Sequence, residues 1–105
     1  MKNVMLTASE ARAKAQNDVV IFNEIRNIED AILEAVADGQ YKAEITGTTI
    51  TLSVTYYNVW LGVTEDRAKY IQMGNIVTYF TDLGYSIERR TNPDTGNTFK
   101  WIVSW

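Results

Sequence analysis

The chain of 105 residues has no cysteine, no histidine and a single proline. The absence of cysteine excludes disulfides, thiolate nucleophiles and thiolate metal ligands. The absence of histidine removes the usual general base near neutral pH, the commonest metal ligand and the middle member of a hydrolytic triad. Carboxylate or lysine chemistry remains open, but no stretch encodes a recognisable reaction. We therefore predict a protein that is not an enzyme, with no catalytic residues, no metal, no cofactor and no small-molecule substrate.

Strong charge and long apolar runs are also missing. The net charge is only −3, so no strong field attracts nucleic acid or an anionic membrane surface. No segment approaches the roughly 20 apolar residues of a membrane span, and residues 1–6 are too short an apolar run for a signal sequence. We expect a protein that neither spans a membrane nor carries a secretory signal peptide.

The composition is that of an ordinary globular protein, with 46% apolar and 22% charged residues. A chain of this length can bury a hydrophobic core of its own without disulfide bonds. We predict a single domain over residues 1–105.

One long helix is predicted for the first third of the chain. Thr7 and Glu10 have the spacing of a capping box, no proline or glycine follows until Gly39, and Gly39 is placed to end the helix. Such a helix is about 45 Å long at 1.5 Å per residue, which exceeds the roughly 30 Å diameter of a small domain. Apolar residues at three- and four-residue steps predict its buried face, namely Val19, Phe22, Ile25, Ile28, Ile32, Ala35 and Val36.

The start of this helix, residues 1–16, has a weaker apolar stripe, which consists of Ala8, Ala11 and Ala15. Two interpretations are open: the segment frays, or it projects and packs against another chain. Small side chains would let two helix backbones approach closely, so these three alanines are a candidate interaction surface.

The middle of the chain predicts a β-hairpin and then an ambiguous segment. Alternation in residues 41–52 indicates two strands joined at a Gly47-Thr48 turn. Residues 54–62 have strand propensity, but the spacing of the aromatic residues also permits a short helix ended by Gly62, and we favour a helical or irregular segment over the core. The alternative is an aromatic binding surface made of Tyr56, Tyr57 and Trp60.

Residues 65–105 predict a second amphipathic helix followed by a β-hairpin. Thr64 is the predicted N-cap, and Gly74 in mid-helix suggests close approach to another backbone. The buried stripe of this helix is predicted to be Met73, Ile76, Val77, Phe80 and Leu83. In the returning strand, alternation predicts one buried face made of Phe99, Trp101, Val103 and Trp105.

Two charged groups invite functional interpretations. The acidic residues Glu29, Asp30, Glu34 and Asp38 suggest a metal site, but a solvated helix face is the better account, because divalent sites usually gather oxygens from loops as well. Arg89, Arg90 and Lys100 beside aromatic residues suggest a nucleic-acid platform. Three cations in a net-acidic chain are weak support, so we expect no nucleic-acid partner.

Together these elements predict an α+β fold of two layers. Two main helices pack on a mostly antiparallel four-stranded sheet, in the order α-β-β-α-β-β.

Several strings of residues resemble a small module that recurs in proteins of marine cyanobacterial tailed phages, described as virion-structural or hypothetical. They are Tyr56-Tyr57-Asn58-Val59-Trp60, Asp66-Arg67, Gln72-Met73, residues 79–89, and Thr98-Phe99-Lys100-Trp101 with Trp105. The N-terminal Ala-Arg, the helix from Val19 to Ile32 and the Thr46-Gly47-Thr48 turn fit the module too, so the resemblance covers most of the chain. The matching residues are packing and turn residues, so the resemblance implies origin and fold and supplies no active site.

The resemblance implies a phage-encoded structural or assembly protein that acts through protein–protein contacts, as a homo-oligomer or with other virion proteins, in the virion or the host cytoplasm. The alternatives are an accessory protein that binds a host factor and, less favoured, a nucleic-acid-binding module.

Overall fold

The computed structural model describes residues 8–105, with side chains from residue 19 onward, and the predicted cap Thr7 lies outside the described residues. The elements, in chain order, are α1 (Ala8–Ala37), β1 (Lys42–Ile45), α2 (Val54–Leu61), α3 (Arg67–Asp82), β2 (Ser86–Thr91) and β3 (Phe99–Ser104).

The three strands form one antiparallel sheet in the order β1-β3-β2. The central strand β3 therefore pairs with both others, and Val103 lies opposite Ala43 on one side and opposite Ile87 on the other. The α+β class is confirmed. The predicted four strands and the α-β-β-α-β-β order are wrong, since the described elements follow the order α-β-α-α-β-β.

The missing strand is the second half of the hairpin predicted for residues 41–52. There the Thr48 N–H donates to the Thr51 hydroxyl at 2.8 Å, and the Thr51 N–H donates to the Thr48 hydroxyl at 3.1 Å. The Leu52 N–H then bonds the Thr48 carbonyl at 2.9 Å. Threonine side chains that satisfy nearby backbone groups compete with a strand ladder, so the segment closes into a turn.

The ambiguous segment forms the helix α2, as we favoured. Ser53 caps it by accepting from the Tyr56 N–H at 3.2 Å, and Gly62 ends it in a left-handed conformation with φ of 83°. Glycine suits that end because it has no Cβ to oppose a positive φ.

The buried face of α1 is narrower than the periodicity predicts. Ile28 and Ile32 are buried and Ile25 is partly buried, whereas Val19 and Phe22 are exposed. Val19 precedes Ile28 by nine residues, about two and a half turns, so the two side chains project from opposite sides of the helix. Val36, also predicted to be buried, is exposed as well.

Helix α3 begins later than predicted and packs as expected in its centre. Asp66, and not Thr64, is the N-cap, and its carboxylate accepts from the Lys69 N–H at 3.1 Å. The side chains predicted to form its core stripe are buried at Met73, Ile76 and Phe80, partly buried at Val77 and exposed at Leu83.

The glycine in the middle of α3 has no packing role of the kind predicted. A Cβ placed on Gly74 would meet no heavy atom of the described residues within 4 Å, so none of their backbones approaches it closely.

The inner face of β3 carries the centre of the core. Phe99, Trp101 and Val103 are fully buried, as predicted, but Trp105 lies beyond the strand and is 38% exposed. On the outer face Ile102 is buried, because its neighbours in register are the long side chains of Glu44 and Glu88.

Candidate interaction surfaces

The residues predicted to form interaction surfaces have different positions in the structure. Tyr56 and Tyr57 are 7% and 8% exposed and belong to the core, with hydroxyls 2.5 Å from Gln72 Oε1 and 2.9 Å from Thr91 Oγ1. Trp60 is half-buried and packs against the same core. The aromatic residues of α2 therefore pack mainly in the core. This agrees with the interpretation of the segment as a cover over the core and not with the alternative of an aromatic binding surface.

The other predicted surface, Ala8, Ala11 and Ala15, lies on the first turns of α1. The side chains of these three alanines lie outside the described residues. A contact through them stays a prediction.

The three basic residues considered as a nucleic-acid platform do not lie together. Arg90 and Lys100 are on the outer face of the sheet, where they pair with Glu88 at 2.6 Å and with Glu44 at 2.7 Å. Arg89 is opposite Trp101 in the register, so its side chain is on the inner face. The sheet therefore separates Arg89 from Arg90 and Lys100, which are cross-strand neighbours and are both paired with glutamates.

The acidic residues considered for a metal site are Glu29, Asp30, Glu34 and Asp38. Among the residues that the structure describes, no three Asp, Glu, His or Cys side chains lie close enough together to hold a metal ion. Glu29 instead accepts a hydrogen bond from the Tyr79 hydroxyl at 3.1 Å.

A group of exposed apolar residues lies at the end of the sheet where β3 finishes. Val36, Leu83, Gly84, Tyr85 and Trp105 line an open groove. The rings of Tyr85 and Trp105 meet edge to face at 6.0 Å. Tyr41 adjoins them, since its carbonyl accepts from the Trp105 N–H at 3.1 Å, and it is 75% exposed.

We call Val36, Tyr41, Leu83, Tyr85 and Trp105 the apolar end surface. Val36, Leu83 and Trp105 are the residues that periodicity places on the core faces of three different elements. The structure exposes all three and brings them around one groove. The apolar periodicity that includes these residues is visible in the sequence, but it predicts buried positions and not an exposed surface.

A second feature is a guanidinium that lies over two tryptophan rings. The Arg89 Cζ lies 5.7 Å from the Trp60 ring centroid and 5.8 Å from that of Trp101. Desolvation lowers the pKa of Arg89 from its ordinary value, and the Tyr70 phenol opposes this shift. A guanidinium stays protonated across the physiological range, so Arg89 is a fixed, partly desolvated positive charge.

A third feature is a carboxyl group inside the core. Glu24 on α1 is 1% exposed, and its Oε2 accepts from the Thr48 hydroxyl at 2.5 Å and from the Trp101 indole N–H at 2.9 Å. Burial raises the pKa of the Glu24 carboxyl, while hydrogen bonds from Thr48, Trp101 and the Ile50 backbone oppose that shift.

Glu24 has no place in the sequence-based predictions, although a signal for it exists. Glu24 precedes Ile28 by four residues and Ile32 by eight, so it occupies the apolar stripe of α1. A carboxylate on a core stripe must find buried donors or stay protonated, because burying an unpaired charge is very costly. In this fold it ties α1 to the turn after β1 and to the central strand.

Comparison with protein-family models, with curated protein sequences and with solved structures gives no match to this chain. No helix in the described part of the chain is long and apolar enough to cross a membrane.

Proposed function

We propose that the protein is a structural or assembly component of a tailed phage that acts through protein–protein contacts and performs no chemistry of its own. Two observations support the proposal: the resemblance of its packing and turn residues to modules of cyanobacterial tailed phages, and the apolar end surface. The second observation carries most of the weight.

The apolar end surface has the character of a protein contact. Single exposed apolar side chains are ordinary on soluble proteins. Here several large ones, from α1, the α3–β2 connection and the residues just before β1 and just after β3, lie around or next to one groove. Adjacent apolar residues grouped in this way mark interaction sites.

The magnitude indicates what kind of contact this surface makes. The exposed parts of Val36, Tyr41, Leu83 and Trp105 add up to about two whole residues. Burial of a large apolar side chain contributes about 1.5–3 kcal/mol, so the surface supplies about 3–6 kcal/mol. Association costs about 4–15 kcal/mol in lost freedom of motion, so this surface alone gives a weak contact. Weak contacts are effective in an assembly, where many copies are held together at once.

The partner in this proposal is a second copy of the chain or another virion protein. The start of α1, with Ala8, Ala11 and Ala15, is the proposed second contact. Deletion of residues 1–16 is then expected to weaken self-association while the melting temperature stays nearly unchanged.

The test combines sizing with particle analysis. Light scattering of the purified protein should show oligomers, and the protein should be present in purified particles. Leu83→Glu places a charge at the groove and should reduce both association and incorporation. Leu52→Glu is the matched control, because Leu52 is similarly exposed but belongs to the turn after β1.

A monomeric protein that is absent from particles would contradict the proposal. That outcome would favour the accessory protein that binds a host factor. Equal effects of Leu83→Glu and Leu52→Glu would show that the apolar end surface is not the contact.

A further inference from the structure

We propose that a second copy of the chain packs along α1, with the two helices antiparallel and Arg26 of each copy opposite Glu29 of the other. This inference rests on the proposed function, for which it names the partner and the alignment of one contact. It concerns one side of α1 and not the groove of the apolar end surface, although Val36 belongs to both.

The contact surface is a stripe of residues along one side of α1, away from the buried Ile28 and Ile32. Its members recur at alternating steps of three and four residues, and they are Val19, Phe22, Arg26, Glu29, Leu33 and Val36. The four apolar side chains are between 49% and 68% exposed, Arg26 is exposed and Glu29 is half-buried. This spacing is that of the contact positions in a two-helix coiled coil. We call these six residues the α1 stripe, which is about 25 Å long at 1.5 Å per residue.

The chemical character along the α1 stripe is the same when it is read from either end. Two apolar residues, two charged residues and two apolar residues follow one another. In an antiparallel pair of helices aligned at the middle of the stripe, opposite residues form the pairs Val19–Val36, Phe22–Leu33 and Arg26–Glu29. Each pair occurs twice, as in any interface with a two-fold axis, and each is either apolar on both sides or oppositely charged. A contact with a different protein needs no such symmetry, so the pattern favours a second copy.

The charged residues in the centre of the α1 stripe select the antiparallel orientation and its alignment. In a parallel pair every residue meets its own copy, so Arg26 would lie against Arg26 and Glu29 against Glu29, which is unfavourable. A shift of the antiparallel pair by seven residues, in either direction, places Arg26 and Glu29 opposite apolar side chains, where the charges lose water without gaining a partner. Polar residues at contact positions fix the register of coiled coils in this way.

Both charged groups are already held on the α1 stripe. The Arg26 Cζ lies 5.8 Å from the centroid of the Phe22 ring. The Glu29 carboxylate accepts a hydrogen bond from the Tyr79 hydroxyl at 3.1 Å, which leaves acceptor positions for a guanidinium. Neither Arg26 nor Glu29 makes an ion pair within the part of the chain that the structure describes. A pair between two copies therefore breaks no ion pair of the described fold.

Sedimentation equilibrium of the full chain tests the contact, and the unmodified protein should associate. Arg26→Glu sets two carboxylates against each other at both central pairs, and Glu29→Arg sets two guanidiniums there. Each variant alone should therefore raise the dissociation constant about 10- to 100-fold.

A mixture of the two variants is the decisive measurement. In a mixed pair, the two carboxylates of the Arg26→Glu chain face the two guanidiniums of the Glu29→Arg chain. An equimolar mixture should therefore recover the association of the unmodified protein. Arg90→Glu is the matched control, because it makes the same charge change on the outer face of the sheet, and it should leave the dissociation constant unchanged. Circular dichroism of each variant checks that its helix content is retained.

The inference is overturned if the unmodified chain is monomeric, if Arg26→Glu and Arg90→Glu have equal effects, or if the mixture does not associate better than either variant alone. The two proposals fail separately. Association that follows the charge reversals in a protein absent from particles would retain the α1 contact and reject the assembly role. A protein that is present in particles and whose association ignores the charge reversals would retain the assembly role and reject the α1 contact.

Discussion

The carboxyl group of Glu24 gives the sharpest prediction about stability. It is buried against Thr48 and Trp101, and its hydrogen-bond partners in the described part of the chain include no cation. We propose to measure the free energy of unfolding from pH 4 to pH 8 for the unmodified protein and for Glu24→Gln. Glutamine keeps the side-chain length and an oxygen that can accept from both donors, but it does not titrate.

The sign of the effect follows from the raised pKa of Glu24. Below the ordinary value of 4.5 the carboxyl is protonated in both the folded and the unfolded chain. As the pH rises, the unfolded chain loses its proton first, while the folded chain must either retain the proton or bury a charge. The contribution of Glu24 to stability is therefore present at acidic pH, and it declines as the pH rises from 4.5 through the folded-state pKa.

The magnitude is bounded by the single proton involved. One proton changes the free energy of unfolding by at most about 1.4 kcal/mol per pH unit. Relative to Glu24→Gln, the unmodified protein should therefore lose stability with a slope between zero and that limit, and the difference should level off above the folded-state pKa. The lowered pKa values of Glu44 and Asp66 act in the opposite direction, and they cancel in this difference.

Urea unfolding followed by tryptophan fluorescence and by circular dichroism measures these free energies at each pH. Glu34→Gln, which removes a carboxylate at an exposed position on the same helix, is the matched control. A difference for Glu24→Gln that is flat or that increases with pH would refute the argument that desolvation dominates this site.

Changes at four further positions test the packing and the helix ends. Gly74→Ala should stabilise the fold by up to about 1 kcal/mol, because the added methyl meets open space in a helix interior. Gly62→Ala makes the same chemical change at a φ of 83°, and thermal unfolding should show a loss of about 1–2 kcal/mol. Ser53→Ala should cost about 0.5–2 kcal/mol by removing the cap of α2, and Ser53→Asp should restore most of that loss. Trp101→Ala should cost at least about 3–5 kcal/mol in urea unfolding, and a loss below about 1 kcal/mol would show that this ring is not core.

The sequence predicts well those elements of the fold that are determined by local periodicity and by turn or cap residues. The long helix α1, the central turns of α3 and the hairpin of β2 and β3 each have a clear periodicity and a turn or cap signal at their ends. Phe99, Trp101 and Val103 fall on the buried face because alternation in a strand leaves little choice.

The predictions that are wrong concern residues whose contacts are with residues distant in the chain. Residues 47–52 alternate like a strand, but the Thr48 hydroxyl is engaged by Glu24, which precedes it by 24 residues. No local sequence pattern indicates such a long-range hydrogen bond. Without a fourth strand the sheet is narrower, and side chains at the ends of α1 and α3, such as Val36 and Leu83, remain exposed.

The candidate sites were predictable only in part, for the same reason. The basic residues near the end of the chain were visible in the sequence, but the register decides that Arg89 faces the tryptophans while Arg90 faces Glu88. The sequence predicts Trp60 as a candidate surface residue. Its position beside Arg89 results from the packing of α2 against the hairpin, which the sequence does not indicate.

The central position of β3 has a consequence for how the chain folds as it is made. Both other strands depend on β3 for their hydrogen bonds, and β3 follows every other described element in the sequence. While a ribosome synthesises the chain, β1 and β2 have no partner strand until β3 emerges, so helices form first and the sheet closes late. Until that moment the side chains of α1 and α3 that pack on β3 lack this cover, and a truncation that removes β3 takes away the partner strand of both β1 and β2.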